Sequence, residues 1–145
     1  MQMSKIHQHK LYVILLVVYV LFLFYLATVI RMPVEIDHIE RNWLWGYHSR
    51  QPEIILDNIL NICAFVPVGL LLGLIVPRHK MLAAVLGGLF ISETIECSQL
   101  IWKLGAFDVD DFFNNTVGAF LGGLIAVVVI RMGRKRLICK FLCRF

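Results

Sequence analysis

Four runs of about 20 mostly apolar residues, the length a helix needs to cross roughly 30 Å of hydrocarbon, punctuate this chain. They cover residues 11–30, 54–76, 81–101 and 112–130, so the pattern predicts four spanning helices. Polar side chains interrupt three of them: Asn61, Glu96 and Asn115. An acid at the centre of a span costs roughly 2.5–3.5 kcal/mol, so such residues imply partners or a purpose.

Spacing within the runs indicates how the helices pack. Gly69 and Gly73, Ala84 and Gly88, and Gly118 and Gly122 are each four apart, which lets helix backbones approach closely in lipid. The turn Pro77-Arg78-His79-Lys80 is short, making the second and third helices antiparallel neighbours. Gly88, Ser92, Glu96 and Gln99 follow one face of the third helix, and Asn115, Gly118 and Gly122 one face of the fourth. Counted at 1.5 Å per residue from the expected outer ends, Asn61 lies about 10 Å deep, Glu96 about 8 Å and Asn115 about 5 Å. One sunken polar cluster is expected, joined nearer the surface by Asp57, Gln99 and Asp111.

Composition supports a single membrane domain over residues 1–145. The chain is 59% hydrophobic and only 17% charged, too apolar for a soluble domain. A net charge of +4 could suggest nucleic acid, but the basic residues flank the spans instead of forming a soluble module, so no nucleic-acid partner is expected. Lys5, Lys10, Arg78, Lys80, Arg131, Arg134, Lys135, Arg136, Lys140 and Arg144 outnumber Arg31, Arg41, Arg50 and Lys103 in the other two connections. That excess predicts cytoplasmic termini and an outward-facing cluster. Trp43, Trp45 and Trp102 fall on the expected outer side, where indole rings favour the headgroup layer.

The N-terminal run is longer than a secretory signal and lacks a cleavage site, so it is expected to remain as an anchor. After Arg131, Leu137, Ile138, Phe141, Leu142 and Phe145 share a helical face, with Arg136, Lys140 and Arg144 largely opposite. The tail, 131–145, reads as a basic amphipathic interfacial helix on anionic lipid. The expected architecture is therefore an all-α bundle of four transmembrane helices with this added helix, and membrane lipids as partners. Nothing in the pattern specifies an oligomeric state.

Candidate chemistry centres on carboxyls and amides. Interhelical hydrogen bonds average only about 0.6 kcal/mol, less than an acid costs to insert, which favours a functional Glu96 over a purely structural one. Glu93, one turn deeper, is evenly balanced. Asp108, Asp110 and Asp111 could supply hard oxygen ligands, but acids at a helix start also cap its free N–H groups. Pro67 should bend the second helix. No histidine accompanies Ser92 or Ser98 in the spans, and there is no phosphate-binding glycine loop. No catalytic residue, resident metal or cofactor is assigned.

Three ordered motifs carry a family resemblance. Asp57-x-x-x-Asn61-x-x-x-Phe65-x-Pro67-x-Gly69 is followed by Ser92-x-x-x-Glu96-x-x-Gln99, and then by Phe107-Asp108-Val109-Asp110-Asp111-x-x-x-Asn115-Thr116-x-Gly118-x-x-x-Gly122. Over residues 54–123 the chain resembles the VanZ-like family of small bacterial membrane proteins. The resemblance implies a role in the bacterial cell envelope, at the cytoplasmic membrane, and a link to teicoplanin resistance. Many family sequences carry an arginine between the glutamine and the Phe-Asp segment, where this chain has Lys103.

Two functional readings follow. In the first, Asp57, Asn61, Glu96, Gln99, Asp111 and Asn115 form an outward pocket for a cell-surface ligand, such as a wall precursor or an amphiphilic glycopeptide. In the alternative, the carboxylates hold a divalent ion against a lipid-linked precursor and one acts as a general base.

Overall fold

The computed structural model describes residues 4–30, 52–102, 104 and 109–142. Helix α1 (Lys5–Tyr25) begins at Ser4, whose hydroxyl accepts the His7 amide at 3.3 Å and so satisfies one free donor of the first turn. It ends in a π-helical turn, Leu26–Ile30, a departure that apolar periodicity does not announce. Helix α2 (Pro52–Ile75) opens on a proline, where the missing N–H costs no helical bond. Helices α3 (Lys80–Ile101) and α4 (Val109–Leu142) complete the bundle. Among the described residues four helices are long and apolar enough to cross a membrane, and no strand is present.

The link between α2 and α3 is tight because His79 adopts a left-handed backbone, φ 51°, and reverses the chain. Lys80 then reaches back, its ammonium donating to the carbonyls of Gly73 at 3.2 Å and Val76 at 2.6 Å. These bonds occupy carbonyls that the end of α2 would otherwise leave open, and they place a positive charge at its negative pole.

The most extensive helix pairing joins α2 to α4, which are not consecutive. A methyl group built on Gly118 would meet the Ile62 carbonyl, one on Gly122 the Val66 carbonyl, and one on Gly73 the Ala126 side chain. These contacts advance in the same direction along both chains, so α2 and α4 are parallel. Helix α3 runs opposite to α4, with Gly88 against Ala119 and Ala84 against Gly123. Lipid tails are as apolar as leucine, so dispersion across these close backbones, and not hydrophobic burial, holds the helices together.

Helix α1 is peripheral and contributes Leu23 to a core with Phe65, Val68 and Ile95. Tyr19 fastens it by donating to the Ala64 carbonyl at 3.0 Å. That acceptor is next to the Cys63 carbonyl, which lacks its usual donor because Pro67 has no N–H. The outer face of α1 is apolar and open, as at Ile14, Val18, Leu21 and Phe22, which suits contact with acyl chains.

The expected basic tail is helical through Leu142, and it continues α4 without a break instead of forming a separate element. At 1.5 Å per residue the 34 residues of α4 extend about 51 Å, well beyond a hydrocarbon layer of roughly 30 Å. Trp43, Trp45, Lys103 and Asp108 lie outside the described residues.

Candidate functional site

Polar side chains from three helices meet near the end where α2 and α4 begin and α3 finishes. Asn61, on α2, donates its amide to the Asp111 carboxyl of α4. Asn115, one helical turn beyond Asp111, donates to the Ser92 hydroxyl of α3 at 2.9 Å. Gln99, on α3, donates to the Ala27 carbonyl at 3.0 Å. Ala27 lies in the π-helical turn that follows α1. Each amide thus fastens a different helix pair.

Asn61, Glu96, Gln99, Asp111 and Asn115 line one cavity of about 370 Å³. Leu23, Leu26, Ala27, Leu60, Ala64, Phe65 and Ile95 supply its apolar wall. Five of the six site residues expected from sequence are therefore brought together. The sixth, Asp57, is exposed and does not line the cavity. It precedes Asn61 by one turn, but the inward position in that turn belongs to Asn58.

The amide nitrogens of Asn61, Gln99 and Asn115 each donate to a protein group, while two of the amide oxygens are left without a partner. Gln99 and Asn115 are 2% and 5% exposed, and their oxygens Oε1 and Oδ1 have no hydrogen-bond partner. A buried oxygen without a partner loses hydration worth about 1–3 kcal/mol. Glu96, 3% exposed, and Asp111 are both engaged with protein groups. A carboxylate offers about four lone-pair positions when ionised. No Lys, Arg or His among the described residues lines this space.

A second polar contact escaped the sequence reading. Asn114 donates to the Asn58 side-chain oxygen at 2.9 Å, and both residues are buried. Asn58 lies three residues from Asn61 and Asn114 adjoins Asn115, so a pair of amides is visible in each helix. Which faces oppose each other depends on the parallel pairing of α2 with α4. Asp110, at the start of α4, is also buried. Trp102 edges against Phe24 with ring centroids 5.8 Å apart, closing the gap between α1 and α3.

Among the described residues no three His, Cys, Asp or Glu side chains assemble closely enough to hold a metal ion. Glu93 lies on the outer face of α3 and lines a separate, largely apolar groove with Phe90 and Cys97.

Comparison with known proteins identifies the family. A sequence model of the VanZ/LLP1 family matches residues 10–131. The chain is also similar to Protein VanZ of Enterococcus faecium, with 33% identity over 87 residues, covering 54% of this chain and 54% of that protein. It thus spans about half the length of that curated relative. No solved structure matches it.

Proposed function

The chain belongs to the VanZ-like family and is a multi-pass membrane protein, and from that premise we propose that its cavity binds the amine-bearing head of an envelope amphiphile. The observation that carries this reading is the surplus of acceptors. The Gln99 and Asn115 oxygens have no partner, and the Glu96 and Asp111 carboxyls line the same space. An ammonium group supplies three donors and a positive charge, whereas a bare phosphate would bring further acceptors. Leu23, Leu26, Leu60 and Phe65 offer the adjoining apolar surface that an acyl chain needs.

The excess of lysine and arginine at the α2–α3 turn and around both termini supports a cytoplasmic location for that end. The cavity then opens just beneath the external surface of the cytoplasmic membrane. A wall precursor or an amphiphilic glycopeptide such as teicoplanin is the ligand class this placement favours, and binding would alter glycopeptide susceptibility.

Surface-bound teicoplanin is to be measured on cells making equal amounts of the wild-type protein and the Glu96→Gln/Asp111→Asn variant. Loss of about 1.4 kcal/mol of interaction predicts about tenfold weaker protein-dependent binding. Equal binding by the two proteins at matched levels would refute this ligand assignment.

A further inference from the structure

We propose that the groove between the α2–α3 turn and α4, at the end opposite the polar cavity, seats the phosphate of an anionic phospholipid. The groove has a volume of about 480 Å³ and is lined by His79, Lys80 and Arg131 together with apolar Met81, Leu82 and Val127. The cations come from two elements that are far apart in sequence and converge only in the folded bundle. Lys80 is held in place there by its bonds to Gly73 and Val76.

Charge segregation along the chain leaves these cations without a carboxylate in the stretches that form the groove. All ten acidic residues fall within 35–57 and 93–111. None lies between residues 58 and 92 or beyond 111, the stretches that build the groove. The N-terminus of α3 adds to the field, since its capping residue His79 makes no side-chain hydrogen bond to the first turn. A phosphodiester satisfies both the cations and these free N–H groups. Leu82 and Val127 continue the groove toward the apolar part of the spans, which suits an attached acyl chain better than a free ion.

The test uses the full chain in phosphatidylcholine vesicles doped with phosphatidylglycerol carrying a photoreactive headgroup. Labelled peptides are mapped by mass spectrometry. Labelling is expected to concentrate in residues 77–82 and 127–131. A single cation near the surface contributes roughly 1 kcal/mol, so Arg131→Gln should lower the yield about fivefold, while Arg131→Lys should retain it. Equal labelling by a photoreactive phosphatidylcholine would overturn the proposal, as would an unchanged yield in Arg131→Gln. Millimolar inorganic phosphate should leave the yield unaltered. Abolition by phosphate would mean that the groove holds a small anion and would overturn the lipid assignment.

Discussion

Asn61 and Asp111, 50 residues apart in the chain, are joined by a direct hydrogen bond that ties α2 to α4 at the rim of the polar cavity. The acceptor is a carboxyl group and the pair is partly buried, so the bond should exceed the average of about 0.6 kcal/mol for interhelical bonds in membranes. A double-mutant cycle with Asn61→Ala and Asp111→Ala, read by reversible unfolding in mixed micelles, should give a coupling energy of about 1–2 kcal/mol. Additivity within about 0.5 kcal/mol would show that the contact is not energetically coupled.

The close approach of α2 and α4 predicts a sharp contrast between two glycines on one helix. A Cβ on Gly122 would collide with the Val66 carbonyl and the backbone of Gly69 and Leu70, none of which is a flexible side-chain end. Gly122→Ala should therefore cost about 1–3 kcal/mol or more, as overpacking does. Nothing lies within 4 Å of a Cβ on Gly133, so Gly133→Ala should cause no loss. Thermal unfolding of both variants in one detergent makes the comparison.

Much of this architecture was legible in one dimension. Run length identified the spans, and counting depth from their ends brought Asn61, Glu96 and Asn115 to a common level, where they line one cavity. Gly69, Gly118 and Gly122 correctly marked close helix approach because a glycine stripe needs no knowledge of its partner. The pairing itself was less visible. A short turn marks α2 and α3 as neighbours, but the more intimate contact of α2 is with α4, set by the relative rotation of helices distant in sequence. The meeting of Asn58 with Asn114 is hidden for that reason, and the one-turn spacing of Asp57 from Asn61 does not reveal which residue turns inward. The π-helical turn at Leu26–Ile30, which presents Ala27 to Gln99, also has no periodic signature.

The buried Asn58–Asn114 contact predicts an asymmetry between single and double substitutions. Replacing Asn114 with leucine leaves the Asn58 oxygen without this donor, at a cost of about 1–3 kcal/mol. Replacing both with leucine removes the donor and the acceptor together and should cost less than the sum of the singles. Unfolding free energies of the three variants provide the check. A double variant as unstable as the summed singles would count against this hydrogen bond as the role of the pair.

Lys80 should hold the end of α2 through the Gly73 and Val76 carbonyls. Lys80→Met removes both bonds and the favourable charge, with an expected loss of about 1 kcal/mol. Hydrogen exchange should quicken in the last turn of α2 while the amides around Gly118 keep their protection. Unchanged exchange near residues 73–76 would show that the ammonium does not stabilise this end.

The acceptor-rich character of the cavity is tested most directly by equilibrium binding of a long-chain alkylammonium and the matching alkyl phosphate. The measurement uses the full chain in zwitterionic nanodiscs, with uptake by empty nanodiscs subtracted, and reads the cavity alone from photolabelling of residues 60–65 and 95–99, because the basic groove at the opposite end would also take up the alkyl phosphate. The wild-type protein should bind the ammonium at least about tenfold more tightly, a difference of roughly 1.4 kcal/mol, and Glu96→Gln/Asp111→Asn should erase the preference. Equal affinity for the two amphiphiles, or a preference that survives loss of both carboxylates, would contradict the account.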